Sequence, residues 1–152
     1  MTDMFEKLME LPLFQGASRD KLKELVEKIP FHFLKYEAGD VLLSPGEKCT
    51  HIKFVVSGSV ELKTDFSNYR VSLLQTINSP GVIGPEFMFG RKTIYPYTCV
   101  AKEACGILQI KKADYVDILM KDKVFLFNML NYLSRNAQKD TLFVQSHNGG
   151  IA

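Results

Sequence analysis

The sequence predicts a mainly β domain with flanking helices: a double-stranded β-helix, or jelly roll, followed by one long C-terminal helix. Three observations predict it. Seven short β-type runs follow one another between Phe31 and Ile110, with turn residues in five of the six gaps. No helical stretch long enough for a parallel crossover interrupts them, which excludes a βαβ arrangement. Apolar residues recur at helical spacing only before Pro30 and after Lys111.

Residues 4–16 read as a short helix and a turn closed by Gly16. Ser18 is an N-cap residue, and Asp20 in the following first turn suits the positive end of a helix dipole. Leu22, Leu25, Val26 and Ile29 then fall on one helical face, and Pro30 stops the helix. The β runs are Phe31–Tyr36, Val41–Ser44, Ile52–Val56, Val60–Lys63, Arg70–Thr76, Thr98–Lys102 and Gly106–Ile110. Turns are read at Ala38–Asp40, Pro45–Glu47, Ser57–Ser59, Asp65–Asn68 and Ser79–Gly81. Ile52, Phe54 and Val56 alternate, as do Val71 and Leu73. Many short strands of this kind point to a sandwich or barrel.

Helix returns at Lys112–Met120, with Asp114 near its start, and again from about Asp122 to Val144. In the second of these Leu126, Leu130, Leu133 and Ala137 recur at spacings of 4, 3 and 4, and Val144 lies a heptad further on. Leu142 and Phe143 widen the apolar face. That period is a coiled-coil seam of modest length, and a symmetric dimer is the commonest way to supply a partner helix. The other reading is a helix packed on its own β domain.

Composition narrows the classes of function. A chain of 152 residues with 46% hydrophobic and 24% charged residues can bury one core. A net charge of +2 without a basic cluster does not announce a nucleic-acid surface. The N-terminal residues lack the order of a signal peptide, and no apolar run reaches the length of a membrane span. Cys49, Cys99 and Cys105 are odd in number and show no CxxC spacing, so a cytoplasmic, reducing location is expected. No nucleophile elbow, HExxH or P-loop is present, and an enzyme is not expected.

The most informative segment runs from Ile83 to Ala101. It offers Gly84, a carboxylate at Glu86, the apolar run Phe87-Met88-Phe89, a basic pair at Arg91 and Lys92, and then Pro96-Tyr97-Thr98 entering a strand. This order resembles the phosphate-binding cassette of cyclic-nucleotide-binding domains. The lead-in Leu11–Ser18, the strand starts at Gly39, Gly46 and Gly58, the cassette, a short helix and a long helix together resemble the sensor domain of the Crp/Fnr family of bacterial transcription regulators. The likeness covers nearly the whole chain.

The resemblance implies a set of roles. Gly84 and Glu86 match the positions for close backbone approach and ribose contact. Phe87, Met88 and Phe89 would form a short helix and the pocket floor, and Thr98 matches the hydroxyl residue that touches the phosphate. Two departures bear on the ligand. Tyr97 stands where the family's cyclic-nucleotide binders carry Arg, and Pro85 separates Gly84 from Glu86. Tyrosine donates one hydrogen bond but no charge, and proline lacks an N–H. Arg91 or Lys92 is the candidate substitute cation. Ordinary cyclic-AMP binding is therefore not expected, and the cassette holds a different effector or none.

The organisation implied is a β-roll with N-terminal helices over 1–121, a dimerisation helix over 122–146, and a junction over 147–152 to a DNA-reading domain that this chain does not contain. The expected partner is a second copy through the long helix, with DNA reached only through that further domain and no membrane. The effector is left open between a cyclic nucleotide and another small molecule. A haem- or redox-responsive sensor on the same scaffold is the alternative, with Met88 or Cys99 as haem ligand or Cys99 and Cys105 as a thiol pair on consecutive strands. A cupin-like metalloenzyme is a third reading, for which the spacing of His32, His51 and His147 gives no metal site.

Overall fold

Ser18 and Asp122, two short polar residues, set where the helices begin, and the strands between them close into a roll. A computed structural model describes residues 4–65 and 71–148. Helix α1 spans Met4–Glu10 and α2 spans Arg19–Lys28. The Ser18 hydroxyl accepts from the Lys21 N–H at 3.1 Å, satisfying one of the free amides of the first turn. Leu22 and Leu25 are buried on the predicted face, with Val26 and Ile29 packed at its edge.

Among the described residues eight antiparallel strands follow: β1 His32–Tyr36, β2 Val41–Leu43, β3 His51–Ser57, β4 Ser59–Asp65, β5 Val71–Asn78, β6 Gly81–Ile83, β7 Thr98–Ala101 and β8 Cys105–Lys111. They form two four-stranded sheets, ordered β1-β8-β3-β6 and β2-β7-β4-β5. The chain crosses between sheets repeatedly, as a jelly roll requires. At the β3–β4 corner Gly58 has φ +73, and a Cβ there would collide with the Ala104 carbonyl oxygen.

Two expectations change here, and a third is not tested. The Ser79–Gly81 turn gives way at Gly81 to a strand, β6, too short to show a period of two. Cys99 and Cys105 lie on strands of different sheets, and all three cysteines are free and buried. Arg70, the expected start of β5, and the turn beyond Asp65 lie outside the described residues.

Helix α3 spans Lys112–Lys121 and α4 spans Lys123–Asn148. Asp122 separates them. Its Oδ1 accepts from the N–H of Val124 at 2.9 Å and of Phe125 at 3.4 Å, and its Oδ2 pairs with Lys21 Nζ at 3.1 Å. Asp122→Ala is expected to lower the unfolding free energy by about 1 kcal/mol through the lost cap. A urea titration checks this, and an unchanged midpoint would contradict the capping role.

An aromatic cluster seats the helices on the first sheet. Phe14 meets Phe54 at 5.3 Å and Phe125 at 5.5 Å between ring centroids, both edge to face. Phe54 also lies 6.4 Å from Tyr115 of α3. The start of α4 is thereby fixed to the roll. No helix of the described residues is long and apolar enough to cross a membrane.

Candidate functional site

The cassette begins where β6 ends. Gly84 adopts a left-handed conformation, φ 50 and ψ 50, and opens a 3-10 turn over Pro85–Phe87. Pro85 at the first turn position has its φ already set for helix entry. The short helix therefore starts two residues earlier than the expected Phe87–Phe89, because proline nucleates it.

The space beside Gly84 is filled by rings. A Cβ on Gly84 would collide with the Tyr97 hydroxyl, and would lie 3.1 Å from Phe87 Cδ2 and 3.3 Å from Tyr95 Cε1. The rings of Phe87, Tyr95 and Tyr97 stand 5.7 to 6.0 Å apart between centroids. Tyr95 donates its hydroxyl hydrogen to Cys49 Sγ at 3.2 Å. The Tyr97 hydroxyl is buried and finds no hydrogen-bond partner among the described residues. Burial, then the nearby Glu86 carboxylate, push the Tyr97 phenol well above its ordinary range, so it stays protonated.

Part of the amide set that would cradle an anion is missing or already paired. Pro85 has no N–H. The N–H of Phe87 donates to the Gly84 carbonyl and that of Met88 to the Pro85 carbonyl, each at 3.1 Å.

In front of Gly84 and Glu86 a cleft of about 260 Å³ opens between the roll and α4. Leu62, Gln75, Ile77 and Val82 form the strand side, and Tyr132, Asn136, Lys139 and Asp140 of α4 form the opposite wall. Glu86 keeps access to solvent at the mouth, while crowding by the cleft walls and the Asp140 charge raise its carboxyl above the usual value. The lining thus holds two carboxylates and one ammonium group, a balance that repels a phosphate and suits a hydroxylated or basic ligand.

Residues 33–122 match the family model for the cyclic nucleotide-binding domain. This chain belongs to that family. The potassium channel SKOR of Arabidopsis thaliana is 28% identical over 118 residues, which cover 72% of this chain and 13% of the channel. The fold is similar to the catabolite activator protein of Thermus thermophilus, with a TM-score of 0.78, 18% identity, and coverage of 90% of this chain and 63% of that one. It is also similar to the sensor domain of the transcriptional regulator DNR of Pseudomonas aeruginosa, at a TM-score of 0.76 and 18% identity over 90% and 89%. A transcriptional regulator of Thermotoga maritima gives a TM-score of 0.73 and 21% identity over 82% and 95%.

In this cyclic nucleotide-binding domain the expected site residues are dispersed. Gly84 and Glu86 line the cleft; Phe87, Met88 and Tyr97 lie beneath its floor. Thr98 is half-buried at the start of β7, and Arg91 is exposed and outside the lining. Lys139 supplies the cation at the cleft in place of Arg91 or Lys92. Sequence reasoning missed Tyr95, although it lies two residues from Tyr97 in an extended segment and so shares its side. It also missed Tyr132, Asn136, Lys139 and Asp140, whose spacing of 4, 3 and 1 marks one helical face.

The four residues read as a seam on α4 do not share one environment. Leu126 and Leu133 pack against their own core, whereas Leu130 and Ala137 are exposed. The outward stripe of α4 runs through Phe127, Leu130, Ala137 and Thr141, at spacings of 3, 7 and 4. The side chains of Phe143, Val144 and His147, and the junction over 149–152, lie outside the described residues.

The alternative sensors find little in the geometry. Burial pushes the Cys99 thiol up to about 12, far from the thiolate that redox or haem chemistry needs. Met88 is fully buried under the aromatic floor. Among the described residues no three His, Cys, Asp or Glu side chains gather as a metal site.

Proposed function

We propose that this chain is the effector-sensing domain of a Crp/Fnr-type transcription regulator. Its ligand sits in the cleft between the cassette and α4, and occupancy sets how paired α4 helices lie. DNA is contacted through a separate domain outside residues 1–152. The observation that carries this reading is that one cleft wall is α4 itself, through Tyr132, Asn136, Lys139 and Asp140. A ligand bridging Glu86 and that wall favours one helix position over another by its differential contacts.

The ligand in this reading is not a cyclic nucleotide held by its phosphate. The ring-filled space behind Gly84 leaves the phosphate no guanidinium, and Pro85 with the paired Phe87 and Met88 amides reduces the backbone donors open to it. Calorimetric titration with cyclic AMP and cyclic GMP is expected to give no saturable heat. Tyr97→Arg, which brings a guanidinium beneath Gly84, is expected to raise cyclic-AMP affinity at least about tenfold, the effect of one charge-assisted bond. Saturable binding by the unaltered chain would overturn the assignment. Mass spectrometry of small molecules released from the purified protein identifies the effector.

One finding favours a second reading, the same sensor attached to another output. The 28% identity to a potassium channel places related sequence in a protein of a different kind. Under that reading α4 still receives the signal, and only the segment beyond it differs.

A further inference from the structure

We propose that a second hollow, between the 11–16 turn and α4, binds a small anion through a carboxylate or phosphate group. It has a volume of about 320 Å³ and is distinct from the cassette cleft. Among the described residues its only charged lining residue is Arg135, and no acidic side chain lines it. Asn131 and Gln15 add side-chain amides to the same lining. Among the described residues the side chains of Arg135, Asn131 and Gln15 make no hydrogen bond or ion pair with one another or with the rest of the chain. A planar guanidinium flanked by neutral amides, without a competing carboxylate, matches the paired oxygens of a carboxylate or phosphate.

The hollow is also held open in advance. Asn128 Nδ2 donates to the carbonyls of Leu13 at 2.9 Å and Gln15 at 2.7 Å. Leu13 has φ 77, a left-handed conformation that a leucine keeps only where its surroundings enforce it. Its buried side chain and the two Asn128 bonds enforce it, and they fix the turn at a set distance from α4. The backbone of the turn is thereby fixed, and the anion orders only the exposed side chains of Arg135, Asn131 and Gln15.

The inference does not rest on the effector reading, since the two hollows differ in charge. The cassette cleft carries Glu86 and Asp140; this one carries Arg135 alone. Tyr132 lines both, so an anion here touches a side chain that the effector also meets.

The test is nuclear magnetic resonance of the full chain at low ionic strength. Sodium phosphate and sodium malate are the probes, and sodium chloride at matched ionic strength is the control. Saturable shifts of the Arg135 Nε–H and the Asn131 side-chain amide are expected. Arg135→Gln is expected to weaken binding at least about tenfold, and Arg135→Lys to fall between, since lysine keeps the charge but loses the fork. Saturation by phosphate alone assigns a phosphoryl ligand, by malate alone a carboxylate, and by both the shared chemistry. Shifts that match chloride, that centre on Gly84–Thr98, or that persist in Arg135→Gln would overturn the proposal. Arg135 is exposed, and the same spectra show that the variant is folded.

Discussion

Gly84→Ala is expected to lower the unfolding free energy by about 2–5 kcal/mol, and Tyr97→Phe to return part of that loss. Two costs add in the alanine variant. A non-glycine residue at φ +50 is strained by roughly 1–2 kcal/mol, and a methyl group forced against a packed ring adds roughly 1–3. The collision is with the Tyr97 hydroxyl, so removing that oxygen relieves much of the second cost, leaving the close approaches to Phe87 and Tyr95 and the whole of the first. Alone, Tyr97→Phe is expected to stabilise the protein by about 1 kcal/mol, because it removes a buried hydroxyl without a partner. A double-mutant cycle in urea reads both. Additive changes, or a destabilised Tyr97→Phe, would show that the hydroxyl does not occupy the space beside Gly84.

Leu130→Asp is expected to convert a dimer into a folded monomer of 17.3 kDa by light scattering, with its urea midpoint at low concentration little changed. Leu130 is 47% exposed and Phe127 57% exposed on the outward stripe of α4, and a second α4 would cover both. Leu133→Asp is expected to behave differently. That side chain packs on its own core, so a carboxylate there costs the monomer about 2 kcal/mol or more. The contrast matters, because both leucines belong to the seam read from the sequence. An unaltered chain already monomeric, or a dimer untouched by Leu130→Asp but broken by Leu133→Asp, would reject the outward stripe.

The contrast also shows what a linear pattern carries. Helix α4 has two apolar stripes, Phe125, Leu126, Met129 and Leu133 against Phe127 and Leu130. Periodicity detects both but does not say which one meets the roll. Phe125 decides it, because Phe14 and Phe54 form the socket that receives it, from residues far away in the chain. The cassette was legible for the same reason that the caps were: Gly84, Pro85 and Glu86 act through adjacent backbone. Its occupant was not, because Tyr95, Tyr97 and Phe87 meet only after β6 and β7 come together in the roll.

The order of elements, the helix stops at Pro30 and Asp122, and membership of the cyclic nucleotide-binding domain family were set by local chemistry: turn residues, caps and alternation that each act within a few positions. Tertiary structure alone decided that rings fill the space behind Gly84, that Gln75 joins residues 132–140 in one cleft, and which face of α4 remains uncovered. Those outcomes depend on contacts between distant segments competing for the same buried volume, and close packing admits one winner.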